Sequence, residues 1–234
     1  MSRKTRIILA VAVLALAALA CKAISGGGDG GGGGNGGTDT ATSTPSPKVI
    51  LSDDFSSTKW GTGTDSNSSV GYANNALQII VYKKNYFVWS TPNAESYQNF
   101  HAETTVINNG TDSTTAFGIM CDQQEVKNNF YYLAITPAGE YAIAKAADGQ
   151  KDVFLTNNDA WAASDKIAKD ASSYHVGADC GNGTLTLYVD GQQIDSVSDT
   201  SYPGGSVALF VWSGENATKT DVSFDDFLMT ELAK

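Results

Sequence analysis

Tyr174-His175-Val176-Gly177-Ala178-Asp179-Cys180-Gly181-Asn182-Gly183-Thr184-Leu185-Thr186-Leu187-Tyr188-Val189-Asp190-Gly191 is the stretch that decides the fold class. Val176, Ala178 and Cys180 alternate with polar neighbours, as do Leu185, Leu187 and Val189, so each run has the period of two expected of a half-buried strand. Gly181-Asn182-Gly183 between them supplies the residues a tight reversal needs, and Asp190-Gly191 turns the chain again into Gln193 to Val197. The reading is a three-strand antiparallel meander. Working outward, Phe100, Ala102, Thr104 and Val106 alternate in the same way, as do Leu77, Ile79 and Val81, and Asn108-Asn109-Gly110 marks a further reversal. Ala160 to Ala171 is the one candidate helix, better read as a loop with a single helical turn. Everything from Val49 onward is therefore expected to be all-β, in one domain of about 180 residues that can bury a sizeable core.

The N-terminus is of a different kind. Arg3, Lys4 and Arg6 precede an unbroken apolar run from Ile7 to Ala20 that ends in small residues, the pattern of a secretory signal peptide. A membrane-spanning helix is the alternative, but that needs about 20 apolar residues and this run is shorter. Ala18-Leu19-Ala20-Cys21 resembles the lipobox of bacterial lipoproteins, which implies a lipid-modified Cys21; it departs from the usual pattern in having Ala18 where Leu commonly stands, and simple secretion stays open. Residues 26–37 are almost pure Gly, and residues 38–48 are rich in Thr, Ser and Pro, compositions that cannot bury apolar surface and act as a tether. The expected organisation is a signal peptide over 1–20, a lipid-anchored linker over 21–48 and a folded domain over 49–234, exported and facing the cell exterior.

The formal net charge of −10 includes three positive side chains in the signal and no negative ones, so the remainder carries −13. Such acidity argues against nucleic acid or an anionic membrane surface as a partner and favours solubility.

Four stretches carry a family resemblance. Asp53-Asp54-Phe55-Ser56 opens the domain; Phe117-Gly118-Ile119-Met120-Cys121 leads through Asn129-Phe130-Tyr131-Tyr132 to Leu133-Ala134-Ile135; Leu185 to Gly191 follows; Val222-Ser223-Phe224-Asp225-Asp226-Phe227 closes it. In this order the domain resembles the concanavalin A-like lectin/glucanase superfamily, and in particular its exported bacterial members. The resemblance implies a jelly-roll sandwich of two packed antiparallel sheets, one of them curved around an extended ligand, with the first and last strands paired.

Cys121 and Cys180 are an even pair in an oxidising compartment, each in phase with core residues, which favours a disulfide over two separately buried thiols. Glycosidic hydrolysis on this fold needs two carboxylates about 5–10 Å apart, and glucanases of the superfamily carry theirs in a Glu-x-Asp-x-x-Glu run that is missing here. Glu103, Glu125, Glu140 and Glu215 are isolated, so no catalytic residue is assigned; a glycosidase built from separate strands, such as Glu103 with Asp122 or Asp179, is the weakest alternative. Neither His101 nor His175 is read as having a partner at metal-ligand spacing on its own element, and no cofactor is expected. A structural calcium held by Asp53, Asp54, Asp225 and Asp226 is weighed and not adopted, because an Asp before an aromatic often just closes a turn.

Aromatics are the most suggestive feature. Sugar rings stack their C–H faces on Trp and Tyr while amides and carboxylates take the hydroxyls. Tyr132, Trp161, Trp89 and Trp212 are the binding candidates, with Trp161 in the longest irregular stretch. In strand phase Tyr131 joins Leu133 and Ile135 in the core, and Tyr132 faces outward with Phe130. Together with the family's usual ligand, these residues lead to the expectation of a non-catalytic, lectin-like carbohydrate-binding module on the cell surface. The alternative is a structural or adhesive surface lipoprotein that uses the sandwich for protein contacts. Partners are thus an extracellular glycan or a surface protein, with the membrane reached only through the lipid anchor.

Overall fold

A computed structural model describes residues 47–124, 128–216 and 219–232; the signal peptide, Cys21 and most of the linker lie outside them. The described residues form sixteen strands and no helix. In chain order these are β1 (Val49–Asp53), β2 (Gly63–Thr64), β3 (Ser68–Ala73), β4 (Ala76–Val81), β5 (Phe87–Ser90), β6 (Phe100–Asn108), β7 (Ala116–Gln123) and β8 (Phe130–Ile135). They continue with β9 (Glu140–Ala146), β10 (Val153–Phe154), β11 (Ala162–Ala163), β12 (Ser173–Gly181), β13 (Thr184–Val189), β14 (Gln192–Ser198), β15 (Ser206–Trp212) and β16 (Thr220–Glu231). Ala160 to Ala171 contains the short strand β11 and turns, not a helical turn.

Every pairing is antiparallel, in two sheets. One runs β14-β13-β12-β6-β16-β4-β3-β2 with β1 also on β16, and the other runs β10-β9-β8-β7-β15-β5 with β11 on β9. The fold is an all-β jelly-roll sandwich. β12, β13 and β14 form the meander read from the sequence, with Cys180 opposite Leu185 and Val189 opposite Gln192. Asn182, Gly183, Asp190 and Gly191 all take positive φ at its two turns, the conformation that Gly and Asn adopt most readily.

The long strand β16 carries two partners on one side, β4 along Thr220–Phe224 and β1 along Phe227–Thr230. The changeover falls at a bulge where Asp226 has φ 50°. Phe55, Trp60 and Phe227 pack together there, with Trp60 edge-on to Phe227 at 5.0 Å. The matched Asp-Asp-Phe motifs thus close the sandwich where its first and last strands meet.

Between the sheets lies the main core, to which β6 contributes Phe100, Ala102 and Val106, β4 Leu77, Ile79 and Val81, and β12 Val176, Ala178 and Cys180. Cys121 and Cys180 form a disulfide across this core, with Cα atoms 6.4 Å apart. In β7 and β8 the simple alternation fails. All six residues of β8 are buried, because its outward side chains Phe130, Tyr132 and Ala134 belong to a second apolar cluster on the outer face of the seven-stranded sheet. A strand covered on both faces reads as a continuous apolar run, and Phe130–Ile135 is one.

Candidate functional site

The second cluster sits on a floor of small side chains, Ala116, Ala134, Ala144 and Ala208, contributed by adjacent strands of the seven-stranded sheet. Around this floor stand larger rings. Phe87 stacks on Phe210 at 4.8 Å with planes 13° apart, and Tyr132 meets Phe210 edge-on at 5.8 Å. From the connection between β9 and β12, Phe154 and Trp161 come over the face 6.0 Å from each other. That connection is held locally: the Asn157 side-chain amide donates to the Trp161 carbonyl at 2.6 Å, and the Asp159 carboxylate accepts the Phe154 N–H at 2.8 Å.

Rings and floor enclose a cavity of about 270 Å³ whose lining includes Phe87, Tyr132, Phe154, Trp161, Phe210 and Trp212. Lys151 and Asp152 are the charged residues on it. Asp152 accepts the Tyr132 hydroxyl at 3.0 Å, and burial, then this carboxylate, pushes the Tyr132 phenol far above its ordinary range. Such a cavity offers stacking faces, one fixed hydroxyl–carboxylate pair and one cation, a mixture suited to an amphipathic ring.

Of the four aromatics chosen from the sequence, Tyr132, Trp161 and Trp212 meet at this cavity. Tyr132 faces outward as expected but is buried, since the covering segment closes over it. Trp89 is on the same sheet face, two residues from Phe87 and 6.1 Å ring to ring, yet it stands at the exposed edge on β5 and lines a separate shallow cleft with residues of the β2 region. Phe87, Phe154, Phe210, Lys151 and Asp152 escaped the sequence reading. The signal for the face itself was present in the polar-free run Phe130–Ile135, which reports two-sided burial.

Charged groups gather instead on the outer face of the nine-stranded sheet. The sequence reading weighed His101 only for metal-ligand spacing; its hydrogen-bonding partners come from the sheet, where Glu103, two residues along β6, shares its face and the β6–β12 register sets Asp179 opposite it. The His101 imidazole contacts Asp179 at 2.6 Å and Glu103 at 3.3 Å, His175 contacts the same Glu103 oxygen at 3.2 Å, and the Tyr188 hydroxyl donates to Asp179 at 2.8 Å. The hydrogen bond to Asp179 raises the His101 pKa in spite of its burial. Burial works against the Glu103 carboxylate, but hydrogen bonds from His175 and His101 outweigh it and hold its pKa below the ordinary value. Glu103 and Asp179 are therefore engaged by imidazoles, and Asp122, on β7 of the other sheet, does not join them.

The terminal aspartates act in turns. Asp53 accepts the Phe55 N–H at 2.9 Å, Asp54 the Ser56 N–H at 3.1 Å and Asp225 the Asp226 N–H at 2.9 Å. Among the described residues no three His, Cys, Asp or Glu side chains are grouped to hold a metal ion.

Two packed antiparallel sheets with paired terminal strands, and an aromatic hollow on the outer face of one sheet, decide the architecture. This is the concanavalin A-like lectin/glucanase fold. Solved structures of the same concanavalin A-like architecture include the carbohydrate binding module CBM66 from Bacillus subtilis, with TM-score 0.58 at 15% identity over 74% of this chain and 96% of that one. A Bacillus subtilis protein of unknown function with a galectin-like fold gives TM-score 0.58 at 10% identity, covering 79% of this chain and 96% of that one. The catalytic domain of an endo-1,3-beta-glucanase (laminarinase) from Thermotoga petrophila gives 0.56 at 11% identity, over 80% and 99%. No family model matches the concanavalin A-like chain, and no curated protein matches it. At these identities the likeness establishes the fold, and a binding module and an enzyme share it.

Proposed function

We propose that this domain binds carbohydrate without cleaving it, through the aromatic cavity on the outer face of the seven-stranded sheet. The observation that carries the reading is the cavity lining, in which Trp161, Trp212 and Phe87 supply aromatic rings while the one carboxylate among the described residues, Asp152, is taken by the Tyr132 hydroxyl. Hydrolysis of a glycosidic bond requires a pair of carboxylates across the bond, and this lining supplies one. Glycan-binding and glycan-cleaving proteins among the structural neighbours both support a glycan as the ligand class.

A glycan array probed with the purified protein is the direct test. Binding is expected, and Trp161→Ala and Trp212→Ala are each expected to weaken it about tenfold or more, as loss of a stacked aromatic anchor does. A blank array, or release of chromophore from chromogenic glycosides by the parent protein, would defeat the non-catalytic reading.

The N-terminal sequence completes the proposal: Cys21 carries a lipid and the Gly-rich tether holds the domain away from the membrane on the outside of the cell. Cys21→Ser is expected to move the protein from the membrane fraction to the soluble exported fraction, and unchanged fractionation would refute the anchor.

A further inference from the structure

Strand alternation puts Phe117, Ile119 and Cys121 of β7 toward the core and would put Asp122 on the outer face beside Met120. It does not lie there. Cys121 and Asp122 together oppose the single residue Val207 of β15, a bulge at which Asp122 takes φ 55°. Bulges re-aim side chains, and the Gln124 side-chain amide pins this one by donating to the carbonyls of Asp122 and Gly204, both at 2.7 Å. Asp122 lines a pocket of about 230 Å³ at one end of the sandwich, beside the disulfide, between the β12–β13 turn and the connection from β14 to β15.

Asp122 is 6% exposed, and no hydrogen bond joins its carboxyl to any described side chain or backbone group. A polar group held in a left-handed conformation, largely removed from water and without a partner among the described residues, is costly to keep. Gln98, Asn182, Thr184 and Thr200, whose side chains are uncharged donors and acceptors, line the same pocket. We propose that this end pocket is a second ligand site, taking a single uncharged sugar unit with the Asp122 carboxyl as its central contact.

Size and charge select that class. At about 30 Å³ per water the pocket holds roughly seven or eight waters, the space of one sugar ring and less than a drug-sized ligand fills. Among the described residues no Lys, Arg or His lines it, so an anion finds no counter-charge from them. The other carboxylate on the wall, Asp199, is already committed to Lys145 at 2.7 Å, the Tyr131 hydroxyl at 2.5 Å and the Ser201 N–H at 2.8 Å, so a cation would face one free carboxyl.

Burial pushes the Asp122 carboxyl up to about 7, so it is protonated in mild acid and can donate to a sugar oxygen. Asp199, Tyr131 and Tyr202, titratable groups beside it among the described residues, do not change charge in that range. Burial opposes ionisation of Asp199, but its hydrogen bonds, Lys145 first, hold it well below the carboxylate range, while burial pushes the Tyr131 and Tyr202 phenols up. Ligand affinity should fall as pH rises through about 7.

The site does not depend on the aromatic cavity, and the experiment separates the two. Methyl glycosides of glucose, galactose, mannose and fructose, and the corresponding free sugars, are titrated into the isotope-labelled protein, with backbone amide shifts recorded at about pH 5.5 and pH 8.5. At least one probe is expected to shift the amides of Gly181, Asn182 and Thr200 at the lower pH, with affinity about tenfold weaker at the higher. A glycoside that binds marks the site as a reader of chain ends, and binding by free sugars alone marks a soluble monosaccharide. Asp122→Asn, which keeps a donor and suits a positive φ, should retain binding and lose its pH dependence; Asp122→Ala should abolish it. The proposal is overturned if no probe moves these amides, if Asp122→Ala binds as the parent does, or if shifts appear only around Trp161 and Trp212.

Discussion

Replacing Cys121 and Cys180 together by Ala is expected to lower the free energy of unfolding by about 4 kcal/mol, the chain-entropy value for a loop of this size. The bridge closes 59 residues and joins β7 of one sheet to β12 of the other. The ladder hydrogen bonds run within each sheet, so between the sheets side-chain packing and a few side-chain hydrogen bonds such as Tyr141 to Asp195 hold the layers, and the disulfide is the covalent tie across them. Both sulfurs are fully buried, so a reductant reaches them only when the sandwich opens. Urea unfolding of the parent and the double variant measures the difference, and a rise in the denaturant slope is expected as well, because the unlinked unfolded chain exposes more surface. A double variant within about 1 kcal/mol of the parent would show that the denatured state is already compact without the bridge.

The pairing of these cysteines was legible because it rests on local phase. Cys121 follows Phe117 and Ile119 at even spacing and Cys180 follows Val176 and Ala178, so each strand alone reports that its sulfur points inward. The same local rule recovered the core faces of β4 and β6 and the β12–β13–β14 meander, whose turns are written in Gly, Asn and Asp. The pairing of the first and last strands came from family resemblance, since nothing in Val49–Asp53 alone names Thr220–Glu231 as its partner.

What escaped was set by register and irregular backbone. His101 meets Asp179 because β6 and β12 pair with those residues opposite each other, 78 positions apart in the chain. Periodicity gives each strand its faces but not the offset between strands, so this cluster was out of reach. Trp161 and Trp212 were found as candidates by residue type, but their convergence with Phe87 depends on how the segment between β9 and β12 folds back over the sheet. Asp122 was the hardest case, because the alternation that located Cys121 correctly assigns its neighbour to the wrong side once the extra residue of a bulge is inserted.

That misdirected carboxyl leads to the second large effect, on the pH dependence of stability. Asp122 titrates at about 7 in the folded protein against 3.8 for an unperturbed side chain, so between these values the unfolded chain gives up a proton that the folded one keeps. For an acid shifted upward the sign is fixed: its contribution is fully favourable below about pH 4, is lost progressively toward pH 7, and is flat above. That difference corresponds to about 4 kcal/mol, and water entering the end pocket screens part of this, which leaves about 2–4 kcal/mol. Asp199, held low by Lys145, acts in the opposite sense, losing its contribution only as pH falls below about 4. His101, raised by Asp179, is favourable below its unfolded value near 6.5 and loses that as pH climbs through its higher folded value. The windows overlap only between about pH 6.5 and 7, so the decline between about pH 4 and 6.5 belongs to Asp122. In urea unfolding across this range the parent should lose stability steadily while Asp122→Asn stays nearly level, ending about 2–4 kcal/mol more stable at pH 8. Parallel curves for the two proteins would mean that the carboxyl ionises in the folded state as easily as in water, and the desolvated pocket would then be wrong.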